Sequence, residues 1–327
     1  MRLLVLGGTE FVGRAIVEDA LARGWDVTVF HRGRHEAPVG ARVLHGDRAE
    51  EGGLTALETG EWDAVVDTWS DAPGAVAATA RLLDGRVGHY TYVSSRSVHG
   101  MPSAPGADET APTVKPALAD EGEDYARAKR GGEVAAEEVF GERALFVRAG
   151  LILGPYENIG RLPWWLNRIA RGGPVLAPGP RDLPLQYIDV RDLAAWTLDA
   201  VEKGLGGPYN LVSPSGHATM VELLEACREV TGSDAEFRWT DPQVIEAEGI
   251  RPWMELPVWL PPGEMHESLH QGNVDRALAT GLRSRPVIET VADTWAWLRS
   301  IGGEAPQRPD RRSLGLDPEV ERRVLGL

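Results

Sequence analysis

Cysteine is almost absent from this chain of 327 residues: Cys227 stands alone. One thiol excludes a disulfide framework, and its place in a helical pattern reads as a small buried hydrophobe. Lysine is nearly as scarce, with only Lys115, Lys129 and Lys203. Basic residues number 34 against 49 acidic ones, a formal charge of −15. So acidic a chain lacks the basic surface that binds nucleic acid or anionic lipid regardless of sequence, and neither is expected as a partner. No apolar run reaches the ~18 residues of a membrane span. The apolar stretch at 3–6 is too short for a secretory signal. An apolar fraction of 43% with 25% charged residues is that of a globular protein. A cytoplasmic enzyme or binding protein is the default. Internal repeats and metal-ligand spacings are missing too. His266 and His270, four apart, have no further ligands beside them and read as surface residues.

What is present starts at residue 2. The apolar run 2–6 has no helical period and suits a strand buried on both faces. It enters Gly7-Gly8-Thr9-Glu10-Phe11-Val12-Gly13, and a helical pattern follows over 14–23. Strand, glycine-rich turn and helix form the phosphate-binding start of a Rossmann unit. Gly7 allows the tight turn, Gly8 lets a pyrophosphate approach the backbone, and Gly13 lets the helix pack near the sheet. The helix N-terminus offers free N–H groups to the phosphates. The alternative is a structural turn of an unrelated α/β domain. A second strand, 27–30, ends at His31-Arg32-Gly33-Arg34. NAD-binding units usually carry Asp or Glu there for the ribose hydroxyls. Two guanidinium groups and no carboxylate suit a 2′-phosphate, so NADP is favoured over NAD. Solvated loop arginines are the other reading.

A third strand, 42–44, leads to Asp47 and Arg48, where side chains reach an adenine; a simple loop aspartate is equally compatible. A fourth strand, 62–68, puts Thr68 and Trp69 over the cofactor, and an Ala-rich helix spans 74–84. A fifth strand, 89–93, ends in Ser94-Ser95-Arg96. In an open parallel sheet the ligand crevice lies beyond the strand carboxyl ends, so this serine pair stands at a site. After a Pro/Gly-rich loop at 101–116, residues 121–140 show helical spacing, with Tyr125, Lys129 and Glu133 on one face. With six tyrosines and three lysines in the chain, Tyr-x-x-x-Lys is rare by chance. A free phenol ionises near pH ~10, too high for a base at neutrality, and an adjacent ammonium favours the phenolate.

The segments LGGTEFVG (6–13), YVSSRSVHG (92–100), DETAP (108–112), YARAK (125–129), VRAGLILGP (147–155) and QYIDVRDLA (186–194) resemble the extended short-chain dehydrogenase/reductases, the NAD-dependent epimerase/dehydratase group. The GGTxFVG form and the HRGR segment look most like an atypical, reductase-like branch, which includes relatives that bind RNA in chloroplasts. The resemblance implies a Rossmann α/β fold, a doubly wound parallel sheet with a smaller C-terminal substrate-binding lobe. It also implies Ser95 as the catalytic serine, Tyr125 as acid/base and Lys129 as its partner and a holder of the nicotinamide ribose. Family members often dimerise through the Tyr-x-x-x-Lys helix. The Ala-rich helices at 74–84 and 121–140 permit a homodimer of that kind, or packing within one subunit. Nucleotide-sugar members carry R-x-x-N-x-x-G-P, where this chain has Leu151 for Asn. They also carry an Arg that contacts a nucleotide phosphate, where this chain has Leu185, and Asp189 replaces a His. Two polar contacts to a diphosphate are thus missing by residue type.

The expected divisions are a Rossmann domain over 1–154 with 184–212 returning to it, a substrate lobe over 155–183 and 213–303, and a tail over 304–327. That tail reads as a Pro- and charge-rich linker before a short helix at 317–324. A strand is expected at 185–190 and helices at 161–171, 192–203, 219–231, 274–281 and 287–299. Candidate substrate contacts are Trp69, Ser95, Arg96, Tyr156, Trp164, Trp165, Gln186, Trp253 and Trp259, the last two in WMELPVWLPP. Aromatic packing inside the lobe is the competing reading. The leading expectation is an NADP-dependent ketoreductase or dehydrogenase for a small, partly apolar carbonyl or alcohol. The alternatives are a nucleotide-sugar epimerase or dehydratase, and a non-catalytic NAD(P)-binding or RNA-binding regulator.

Overall fold

The structure is a computed structural model describing residues 1–122, 124–304, 308 and 314–327. The expected linker at 304–312 lies largely outside the described residues. The chain divides into two compact units. Unit 1 comprises 1–150, 190–212 and 273–283; unit 2 comprises 151–189, 213–272 and 284–327.

Unit 1 opens with β1 (Arg2–Leu6), α1 (Phe11–Ala22), β2 (Asp26–His31) and β3 (Arg42–His45). There follow β4 (Trp62–Asp67), α2 (Gly74–Leu83), β5 (Val87–Ser95), α3 (Tyr125–Phe140) and β6 (Ala144–Ala149). Unit 2 then begins with β7 (Leu151–Leu153), α4 (Arg161–Ala170), β8 (Pro174–Pro178), β9 (Pro184–Leu185) and β10 (Tyr187–Asp189). The chain re-enters unit 1 for α5 (Val190–Glu202) and β11 (Gly207–Leu211). Unit 2 resumes with β12 (Ala218–Thr219), α6 (Met220–Thr231), β13 (Glu236–Thr240), α7 (Pro242–Ala247) and α8 (Glu264–His270). The short α9 (Asp275–Ala279) belongs to unit 1, and α10 (Val287–Ser300) and α11 (Pro318–Leu325) to unit 2.

Seven parallel strands form the sheet of unit 1, in the order β3-β2-β1-β4-β5-β6-β11. Residues 3–6 of β1 are buried, as a strand covered by helices on both faces requires. The strand order reverses between β1 and β4, which puts a switch-point crevice at their carboxyl ends, beside Gly7 and Thr68. On one face α1 packs against α5, where Arg23 bonds Asp199 at 2.7 Å. On the other, α2 packs against α3. Small residues of α3 serve these internal contacts: a Cβ at Gly132 would stand 2.5 Å from the Tyr92 ring.

Unit 2 is built around one apolar cluster that includes Leu151, Leu166, Leu185, Leu224 and Leu298. Three short two-stranded ladders frame it: β7 with β10, β9 with β12, and β8 with β13. The last pairs 174–178 with 236–240 in parallel, a long-range match with no local signal. The strand expected at 185–190 is broken at Gln186. Its side-chain amide donates to the Ser213 and Gly272 carbonyls and accepts from Gly272 N–H. The segment 184–189 groups with unit 2 rather than with the Rossmann sheet. His266 and His270 are buried rather than at the surface. His266 Nε2 lies 2.9 Å from the Pro184 carbonyl, and His270 Nδ1 accepts the Gln186 N–H. Helical periodicity put them on one face of α8; only the packing of 184–186 shows that the face is internal. Among the described residues, no helix is long and apolar enough to cross a membrane, and no group of His, Cys, Asp or Glu could hold a metal.

Candidate active site

The turn after β1 is shaped by what it must clear. Thr68 bonds back to the Leu6 carbonyl through N–H at 3.1 Å and Oγ1 at 2.9 Å. A Cβ on Gly7 would lie 2.2 Å from that Oγ1, and one on Gly13 only 2.5 Å from the Gly8 nitrogen. Gly7 and Gly8 also take φ of +111° and +89°, where side chains are strained. Phe11 opens α1 and is buried, with Thr9 and Val12 half-buried on either side. Glu10 sits at the N-cap, yet its side chain does not cap the helix, and the first turn holds no acidic residue. The Glu10 carboxylate lies instead 3.7 Å from His35 Nε2. The amides of this turn are thus arranged as a helix N-terminus that receives an anion. The residues present fit a dinucleotide pyrophosphate.

At the end of β2, His31 Nδ1 accepts the Gly33 N–H at 3.1 Å. Burial, reinforced by the neighbouring His45 and His35, holds the His31 imidazole below its usual range, so it is neutral at pH 7. Arg32 and Arg34 are exposed and carry the positive charge of this strand end. Asp47 accepts the Ala49 N–H at 3.1 Å in a local turn. Arg48, expected as a cofactor contact, is engaged elsewhere. Its side chain is only 5% exposed and binds Asp67 through two bonds of 2.6 and 2.7 Å. A guanidinium so desolvated needs its carboxylate partner, and β4 supplies it from below.

Tyr125 begins α3 rather than lying one turn inside it. The Glu121 carboxylate accepts the Leu118 N–H in a preceding turn, and Asp124 caps the helix by accepting the Arg127 N–H. Residue Tyr125 is 38% exposed and stands at the positive end of the helix dipole. Lys129, one turn on, is buried, with its Nζ 6.0 Å from the Tyr125 ring centroid and 4.7 Å from that of Tyr92. It donates to the carbonyls of Trp69, at 2.5 Å, and Val93, at 2.7 Å. Trp69 is half-buried; its indole N–H donates to Ala72 at 2.9 Å, and its face meets Arg48 at 5.1 Å. Ser95 ends β5 and caps the short turn Arg96–His99, its Oγ accepting the Ser97 N–H at 3.1 Å. Helix α3 packs along β5 and this turn, so Ser95, Tyr125 and Lys129 belong to elements in direct contact.

Three more charged groups are shifted by their surroundings: Glu133, singled out in the sequence only for its helical spacing, Arg96, expected as a substrate contact, and Glu157, which the sequence did not single out. Glu133 is fully buried and accepts from Ser94 Oγ at 2.7 Å, from Arg130 at 2.8 Å and from Arg148 twice at 2.9 Å. Burial would raise this carboxyl, but the Arg148 guanidinium holds it below the usual range. Its i+8 spacing from Tyr125 was the available signal. Burial also lowers the Arg96 guanidinium to about 10, opposed by Glu109. In unit 2, burial raises the Glu157 carboxyl to about 7 against the pull of Arg161 and the first amides of α4.

Several expected substrate contacts are core residues. Trp165 and Trp259 are fully buried, their indole N–H groups donating to the carbonyls of Pro257 and Gly179. Gln186 is equally buried in its clamp on Gly272. Trp164 stacks edge-on against Trp165 at 4.7 Å. Trp253 takes a φ of +67° under the Arg161 guanidinium, and Tyr156 a φ of +68° beside Trp297. These last three are half-buried.

The chain is similar to several known proteins. It is 28% identical over 308 residues to UDP-glucose 4-epimerase of Corynebacterium glutamicum, covering 80% of this chain and 91% of that one. It is 24% identical over 253 residues to chloroplast stem-loop binding protein of 41 kDa b of Arabidopsis thaliana, covering 71% and 63%. The fold matches the crystal structure of the Bordetella bronchiseptica enzyme WbmH in complex with NAD+, at a TM-score of 0.66 and 19% identity over 92% of this chain and 99% of that one. A family model matches residues 3–211, nearly the whole of the seven-stranded sheet with its glycine turn and its Tyr-x-x-x-Lys helix, and the chain belongs to the NAD dependent epimerase/dehydratase family.

Proposed function

We propose that this protein transfers a hydride between a nicotinamide cofactor and a carbon bearing a hydroxyl or carbonyl, with Tyr125 as the acid/base. The observation that carries the reading is the exposed Tyr125 at the start of α3, with the buried Lys129 ammonium one turn behind it, 6.0 Å from the Tyr125 ring centroid. Lys129 and the helix dipole both act to stabilise a phenolate. As a base, Tyr125 takes the proton from a substrate hydroxyl; in the reverse direction it returns that proton to the carbonyl oxygen. Ser95 orients the same oxygen. When bound, the nicotinamide supplies or accepts the hydride. Residues 7–13 would hold its pyrophosphate, and Lys129 its ribose.

A preference for NADP is supported by Arg32 and Arg34 at the end of β2, where no carboxylate side chain follows until Glu36. We expect calorimetric titration to give the tighter binding for NADP. We also expect Arg32→Asp to weaken NADP by about tenfold, the loss of one charge-assisted phosphate contact, while NAD gains. Equal affinities in the unaltered protein would refute the preference.

For the substrate, Leu151 and Leu185 lie buried in the apolar cluster of unit 2. So buried, neither residue offers a polar contact to a diphosphate. This favours a carbonyl compound with an apolar body. A nucleotide-sugar epimerase is the second reading, favoured by the UDP-glucose 4-epimerase relative. A thermal-shift screen in the presence of NADP separates them. Stabilisation by small ketones or aldehydes, with consumption of NADPH, is expected. Stabilisation by a UDP- or TDP-sugar alone would establish the epimerase reading instead.

A further inference from the structure

The Arg48–Asp67 pair lies beneath the candidate site, and its contacts run in one direction. Asp67 is fully buried at the end of β4. Its Oδ1 accepts Arg48 and, at 2.9 Å, the Trp69 N–H; its Oδ2 accepts Arg48 and, at 2.5 Å, the Tyr90 hydroxyl. Arg48 is itself anchored to Thr79 Oγ1 and the Ala75 carbonyl, both at 3.0 Å, on α2. Its guanidinium also faces the Trp69 indole. Residue 69 is thus held at its amide and at its ring. Its carbonyl then accepts the Tyr92 hydroxyl at 3.0 Å and Lys129 Nζ.

We infer that Arg48 and Asp67 are positioning residues for the Lys129 ammonium, acting through residue 69, which they hold at its N–H and its ring and which meets Lys129 at its carbonyl. Lys129 carries a flexible four-carbon stem, and an ammonium set against the Tyr125 ring needs fixed acceptors. The Trp69 carbonyl lies just past the end of β4; Asp67 fixes residue 69 at its N–H, Arg48 fixes it at its ring, and the Tyr92 hydroxyl bonds the carbonyl itself. The ionisable groups around Lys129 include Tyr92 from β5 and Tyr125 on its own helix; Glu133, one turn on, is paired with Arg148 and Arg130.

The inference rests on the reading of Tyr125 and Lys129 as an acid/base pair, and the test separates the two. The ionisation of Tyr125 is followed by phenolate absorbance, with a Tyr125→Phe titration subtracted to remove the other tyrosines. No substrate is needed. Asp67→Asn is compared with the unaltered protein, and then within a Lys129→Met background. Deleting a negative charge, with Arg48 left behind, would by itself favour phenolate and lower the midpoint. Loss of positioning acts oppositely, and we expect a rise of about one pH unit, the effect of displacing a neighbouring cation. In the Lys129→Met background that rise disappears. A midpoint that falls or stays, or an equal rise without Lys129, overturns the inference. Should Lys129→Met alone leave the midpoint unchanged, the acid/base reading fails and the inference with it. If Asp67→Asn shows no cooperative unfolding, Tyr90→Phe removes one hydroxyl bond from Asp67 without a change of charge. It is held to the same outcomes, with a smaller rise.

Discussion

Tyr125→Phe is expected to lower turnover by about 10²–10⁴-fold, the usual contribution of a positioned acid/base. Stability and cofactor affinity should change little. The substitution removes one oxygen from a side chain that is already 38% exposed, so no cavity forms. The helix start survives, because the cap belongs to Asp124. Lys129 keeps its bonds to the carbonyls of Trp69 and Val93. Cofactor oxidation or reduction under single-turnover conditions, with melting and calorimetry as controls, measures the effect. Turnover within about tenfold of the unaltered protein, well below the contribution expected of such a group, would remove Tyr125 from the chemistry.

Arg148→Met is expected to destabilise unit 1 by about 3–5 kcal/mol, the cost of breaking a buried ion pair on one side. Arg148 reaches from β6 to Glu133 on α3 and also donates to the Glu109 carbonyl at 3.1 Å. Without it, Glu133 keeps Arg130 and Ser94 but loses its two-pronged partner. The carboxyl is held low in the folded protein, so the pair's contribution is present above the unfolded pKa and fades as pH falls through the folded one. The gap between variant and parent therefore narrows in acid. A double variant, Arg148→Met with Glu133→Leu, should recover much of the loss, since no charge is then buried alone. Urea unfolding of the four proteins at neutral and acid pH gives the cycle. Full additivity of the two single changes would show that the pair does not act as a unit.

How much of this was legible in the sequence depended on range. The glycine turn was readable because strand, turn and helix are contiguous and each leaves its own period. Tyr125 and Lys129 were readable because one helical turn links them. Arg48 was not: its partner Asp67 is 19 residues away, and only the return of the loop after β3 to α2 and the end of β4 brings the two together. Trp165 and Trp259 failed for another reason. An indole in a pocket wall and one in a core look alike in sequence, and the difference lies in which carbonyl each N–H meets. The break of the 185–190 strand at Gln186 was hidden similarly, since its clamp closes on Gly272, far along the chain. The start of α3 was missed by four residues because Glu121 and Asp124 both suit a helix entry, and only the capping bond tells them apart.

The order of the sheet also bears on how this protein emerges from a ribosome. Strand β6 ends at residue 149, but its outer neighbour β11 begins only at 207. At synthesis rates of ~5–20 residues per second, β6 waits several seconds with an open ladder edge. That edge runs over 145–149 and is apolar but for Arg148, and an unpaired ladder of this kind recruits strands from other chains. A fragment stopped near residue 150 would keep this edge permanently. Residues 207–211 therefore act as a late seal, and nascent chains shorter than that are the ones a chaperone would be called upon to hold.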